Sequence, residues 1–130
     1  MNDDGEMTTV NGKKNIVREK SFAFSVQIVK LYKLLSEERK EFVMSKQLLR
    51  SGTSIGSNIR EADNAESKAD FIHKMGVAQK EIDETLYWLE LLKETAYITD
   101  YEFSSVYSEG EEIIKLVKRI LITAKKNINR

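Results

Sequence analysis

Four stretches of this chain carry apolar residues at alternating spacings of four and three, and no proline interrupts any of them. In the first, roughly 21–37, the series is Phe24, Ile28, Leu31 and Leu35. In the second, roughly 40–64, it is Leu48, Gly52, Ile55, Ile59 and Ala62. The third, roughly 68–96, runs Phe71, Met75, Ala78, Ile82, Thr85, Leu89, Leu92 and Ala96. The fourth, roughly 100–126, runs Phe103, Val106, Gly110, Ile113, Val117, Ile120 and Ala124. Such spacing puts every member of a series on one face of a helix. A seven-residue pattern held in four helices is the seam of a bundle with knobs-into-holes packing. No segment alternates with period two, so strands are not expected.

The punctuation agrees. Ser67 followed by Asp70 reads as a helix N-cap, and Thr99 followed by Glu102 as a capping box, in which hydroxyl and carboxylate each take one free N–H. The connections near 37–40, 64–67 and 96–99 are short, which forces neighbouring helices to run antiparallel. The expected fold is therefore all-α, an antiparallel up-down-up-down four-helix bundle over residues 21–130. Residues 1–20 hold Gly5, Gly12 and many polar groups. They read as a flexible tail in which helix can start from about Asn15.

Charge is balanced in total and sorted in sequence. Lys plus Arg number 21 and Asp plus Glu number 21. Residues 1–60 carry 11 basic and 7 acidic side chains, residues 61–112 carry 4 and 14, and residues 113–130 carry 6 and none. The zero sum argues against a uniformly basic nucleic-acid protein, while the segregation points to a polyanion partner, a charged interface, or both. The chain has no Cys, which removes thiolate catalysis and Cys-ligated zinc. No apolar run approaches the roughly 20 residues that span a bilayer. The first residues include Asp3, Asp4 and Glu6 without an apolar segment, unlike a signal peptide. A cytoplasmic location is expected.

Two helices carry more apolar surface than one seam explains. Phe22, Val26 and Val29 lie nearly opposite the first seam, and Val77, Tyr87, Trp88 and Leu91 lie off the third. A second stripe must be covered by something. Either residues 1–20 fold back over it or a second copy does, and the aromatic content with few charges favours a homo-oligomer interface.

The second helix contains Gly52, Ser54, Gly56 and Ser57, although each Gly costs a helix about 1 kcal/mol against Ala. Small residues permit close approach of a neighbouring helix. A phosphate-binding loop is the other use of such residues, but the Gly-Lys-Ser/Thr ending of that loop is missing.

The stretch LRSGTSIGSNIREA, with FAFSVQIVKLYKLL before it and KEIDETLYWLELL after it, resembles the "four helix bundle protein" family, over about residues 16–127. Its founding members are encoded by intervening sequences inside bacterial 23S ribosomal RNA genes. The resemblance implies an all-α antiparallel bundle, commonly a homopentamer. A relative is the accessory protein of diversity-generating retroelements, which binds reverse transcriptase and nucleic acid.

Two basic faces are candidates for phosphate contacts. One is Lys46, Arg50 and Arg60 on the second helix; the other is Lys115, Lys118, Arg119, Lys125 and Lys126 on the fourth. Each set lies opposite its apolar seam. Such contacts would be independent of sequence and sensitive to salt; the competing reading is a solvated face and a complement to the helix dipole. No recognition-helix or base-stacking signature is present. Asp70 and His73 have a metal-site spacing, but one histidine cannot furnish a di-iron bundle. Glu81 with Glu84, and Glu109 with Glu112, have the spacing of magnesium-binding carboxylates in helical nucleotide hydrolases, yet Glu81, Glu84 and Glu112 sit off the seams. No catalytic residue, metal or cofactor is expected. The favoured reading is a non-enzymatic oligomeric bundle associated with RNA or DNA. Its alternative is an adaptor docking a larger protein such as a reverse transcriptase, and a metal-dependent nucleotide hydrolase is the remote one.

Overall fold

The computed structural model describes residues 4–128. Four helices account for nearly all of them: α1 (Asp4–Lys33), α2 (Met44–Asp63), α3 (Lys68–Glu94) and α4 (Asp100–Ile128). A five-residue π-helical turn, Leu34–Glu38, ends α1. Each helix packs on its two neighbours: α1 on α2 and α4, and α3 on α2 and α4. The architecture is an up-down four-helix bundle, with α1 and α3 at one pair of opposite corners and α2 and α4 at the other.

The core follows the heptad seams. Phe24, Ile28, Leu35, Leu48, Ile55, Ile59, Met75, Ile82, Leu89, Leu92 and Ile113 are at most 2% exposed. Each such side chain contributes about 1.5–3 kcal/mol by leaving water. The seams loosen at their ends, where Phe71, Phe103 and Ala124 are half-buried and Ala96 is exposed.

The helix starts and stops have local causes. Ser67 Oγ accepts the Asp70 N–H at 3.0 Å and so begins α3. Thr99 and Glu102 form the reciprocal capping box of α4: Glu102 Oε1 accepts the Thr99 N–H at 2.9 Å and Thr99 Oγ1 accepts the Glu102 N–H at 3.1 Å. The N-terminus of α2 is capped from outside the helix. Glu41, 7% exposed, accepts the N–H groups of Val43, Met44 and Ser45 at 3.2, 3.0 and 2.7 Å. Two helices stop through residues in the left-handed region, Lys40 at φ 57° and Ala96 at φ 64°. Beyond Ala96 the Tyr97 N–H returns to Leu92 O at 2.9 Å, the 6→1 closure of a Schellman turn.

Two boundaries differ from the sequence reading. α2 starts at Met44 rather than near residue 40, because the left-handed Lys40 ends one helix before the next can begin. The division at residue 20 is crossed by a continuous helix. Val17 and Ser21 are fully buried and extend the α1 seam backwards at the same alternating spacing. Residues 1–3 of the expected tail lie outside the described residues.

Candidate nucleic-acid interface and subunit faces

The two basic sets occupy opposite corners of the bundle, because α2 and α4 are diagonal to one another. A single face of one subunit therefore cannot present both. Their chemistry differs as well.

On α2 the cations are largely engaged. The Arg50 guanidinium donates to both carboxylate oxygens of Glu81 at 3.3 Å and is hydrogen-bonded to Glu84, tying α2 to α3. That contact raises Arg50 and, with the Trp88 indole N–H at 3.2 Å, holds Glu84 below the usual carboxylate range. Arg60 lies over the Phe22 ring, 5.5 Å from its centroid. Lys46 is exposed and has no ion-pair partner among the described residues.

On α4 the cations are free. Lys115, Lys118, Arg119, Lys125 and Lys126 are all exposed, and none has an ion-pair partner among the described residues. They surround Ile122, itself 57% exposed. The other half of the same helix is acidic: Glu112 pairs with Lys20 of α1 at 3.2 Å, and Glu109 accepts from Gln27 of α1 at 2.8 Å. Thus α4 has a basic C-terminal half aimed at solvent and an acidic N-terminal half partly used in packing.

The surplus apolar residues also divide between opposite corners. Phe22 and Val26 of α1 are exposed and Val29 is half-buried. On α3, Tyr87 is exposed while Val77, Trp88 and Leu91 are half-buried, and Tyr87 packs edge-on against Trp88 at 5.1 Å. Because α1 is continuous from Asp4 to Lys33, residues 4–20 run on along the axis and do not double back over Phe22.

The small residues of α2 serve two purposes. A Cβ on Gly52 would lie 2.7 Å from Ile28 Cγ2, so this glycine is what lets α1 and α2 approach. Gly56 has no such neighbour, its nearest atoms being the Ser21 and Ser25 hydroxyls at 3.6 Å. Ser54 is half-buried and Ser57 exposed, and with Thr53 both turn their hydroxyls onto carbonyls of their own helix. On the α3 side, Ser51 and Thr85 meet through a buried hydroxyl–hydroxyl bond of 2.9 Å.

The carboxylate pairs are dispersed among these contacts, Glu81 and Glu84 on Arg50, Glu109 and Glu112 on α1. His73 is exposed. Among the described residues no three His, Asp or Glu side chains gather in a way that could hold a metal ion. No described helix is long and apolar enough to cross a membrane.

One cleft escaped the sequence reading. A cavity of about 310 Å³ between α3 and α4 is lined by Glu90, Lys93, Glu94, Phe103 and Tyr107. Phe103 and Tyr107, four residues apart, stack at 4.6 Å. The aromatic pair was visible in the sequence, but its acidic neighbours on α3 become adjacent only through the packing of α3 on α4.

The sequence profile of the family described as 23S rRNA-intervening sequence protein matches residues 13–119. No curated protein matches. Among solved structures, the chain is similar to a protein of unknown function from the S23 ribosomal protein family of Bacteroides thetaiotaomicron VPI-5482, at 58% identity and a TM-score of 0.83. That similarity covers 84% of this chain and 97% of the other. With so much of its length matched, from α1 well into α4, this bundle belongs to the 23S rRNA-intervening sequence protein family.

Proposed function

We propose that the chain is a non-enzymatic subunit of a head-to-tail homo-oligomer whose α4 faces contact the phosphate backbone of RNA or DNA. The observation that carries the phosphate reading is the unpartnered cluster Lys115, Lys118, Arg119, Lys125 and Lys126. Cations that serve folding find carboxylates, as Arg50 does; these five find none among the described residues. Contacts of this kind release counterions, so binding falls steeply with salt and carries no base preference.

The oligomer reading rests on the apolar stripes. A two-fold dimer uses one self-complementary patch, whereas unlike patches facing away from each other suit a head-to-tail contact that closes into a ring. The α1 stripe around Phe22 and the α3 stripe around Trp88 lie on opposite corners and meet the second description. Ring closure would repeat the α4 face around an axis and multiply its local field. The homopentamer that the resemblance implies would be one such ring.

Two measurements test the proposal. Light scattering at micromolar concentration should give a mass several times 15.0 kDa; a monomer removes the ring. Random-sequence RNA and DNA should be retained on filters at low salt and released at high salt. Retention should drop sharply in Lys118→Glu/Arg119→Glu and persist in Arg50→Met. Absence of binding at low salt, or indifference to the α4 charge reversal, ends the phosphate role.

A further inference from the structure

The cleft between α3 and α4 combines three properties that neither the subunit faces nor the basic face use. Its floor is the stacked pair Phe103 and Tyr107. Its rim carries Glu90 and Glu94, both exposed. Its aromatic face already holds a cation, since Lys93 Nζ lies 4.6 Å from the Phe103 centroid. An ammonium in that position shows which chemistry the ring accepts.

The cleft is also short of positive charge. Glu90 accepts the Tyr107 hydroxyl at 2.8 Å, and neither it nor Glu94 has an ion-pair partner among the described residues. The hydrogen bond to Glu90, with burial and the charges of Glu90, Glu111 and Asp83, pushes Tyr107 up to about 12. Among the described residues Lys93 is the one cation lining the cavity. Its ammonium ends a flexible four-carbon stem and can swing into solvent, whereas a guanidinium stacks on a ring as a flat plate.

We propose that this cleft is a seat for an arginine- or lysine-bearing segment of a protein partner, with Phe103 as the cation-accepting ring, Glu90 and Glu94 as counter-charges, and Lys93 as the internal occupant that is displaced. The volume, about 310 Å³, is at the small end for ligand pockets and suits one side-chain head. The proposal does not depend on the phosphate reading, which uses the other half of α4.

The probe is a fluorescein-labelled nona-arginine peptide titrated into the full chain, with anisotropy as the readout. Phe103→Leu should weaken binding about two- to fivefold, the range of an exposed cation–π contact. Glu90→Gln should weaken it more than Glu66→Gln, the same charge change on the α2–α3 connection. Lys93→Met should strengthen it beyond Lys80→Met, the same charge change elsewhere on α3. Circular dichroism establishes that each variant is folded. Should Phe103→Leu fail to fold, the Lys93→Met and Lys80→Met comparison decides alone. No binding, or affinities that track net charge regardless of position, would overturn the proposal.

Discussion

Arg39 and Glu102, 63 positions apart, meet in a bidentate ion pair with N–O distances of 2.7 and 2.8 Å. The same guanidinium donates to Tyr97 O at 2.7 Å. One side chain thus joins the α1–α2 connection to the start of α4, while its partner Glu102 is also half of the α4 capping box.

The first prediction concerns acid. The hydrogen bonds from Arg39, aided by the Thr99 N–H, lower Glu102 from an ordinary 4.5 to about 2. A depressed carboxylate contributes stability that is full above the unfolded value and is lost as pH falls through the folded one. Between pH 4.5 and 2 the wild type should lose on the order of 1–2 kcal/mol from this group, after allowance for solvent screening. Denaturant melts of Glu102→Gln should lose less across that window and start lower at pH 7.

The second prediction contrasts two glycines. Gly52→Ala gains helix propensity of about 1 kcal/mol but drives a methyl into the β-branched Ile28, at a cost of about 1–3 kcal/mol. A net loss is expected. Gly56→Ala meets only ordinary contacts at 3.6 Å and should gain most of the propensity term. Thermal melts of the two variants should move in opposite directions.

A third prediction follows from the buried hydroxyl pair. Thr85→Val keeps the volume but removes the donor to Glu81 O at 2.7 Å and the contact with Ser51 at 2.9 Å. A loss of about 1–3 kcal/mol is expected, since Ser51 keeps only its long bond of 3.4 Å to Leu48 O. The double variant Thr85→Val/Ser51→Ala should recover part of it, which a double-mutant cycle measures.

A fourth prediction uses the left-handed residue just past the C-terminus of α3. Ala96 at φ 64° carries a steric penalty that glycine lacks. Ala96→Gly should stabilise by a few tenths to about 1 kcal/mol, after the greater entropy of the unfolded glycine is counted. Equilibrium denaturation resolves a change of that size.

The seams and two helix starts were legible because they are local. The spacing of Phe24, Ile28, Leu31 and Leu35 declares one face, and Ser67 and Thr99 bond within their own turns. What escaped the sequence was decided between elements. Val17 sits beside Ile16 in an otherwise polar stretch, and that Val17 is buried while Ile16 is exposed depends on the rest of the bundle. Glu41 caps α2 from beyond its N-terminus, a role its position relative to the apolar period does not announce. A helical wheel shows that Arg50 and Lys118 both lie opposite a seam. It cannot show that Arg50 reaches the carboxylates of α3 while Lys118 on the diagonal corner reaches none among the described residues. The basic residues therefore separated into a largely engaged α2 set, Lys46 apart, and an unpaired α4 set only once the corners were known.

The antiparallel course brings the start of α1, at Asp4, and the end of α4, at Ile128, to the same end of adjacent helices. The opposite end holds the Arg39 tie and both left-handed turns. Tension applied through the two ends of the chain would not slide these helices past one another. It would peel them apart one contact layer at a time, beginning at the end away from Arg39. The bundle should therefore yield at low force when pulled by its ends, and a protein fused at either terminus would hang from the same pole.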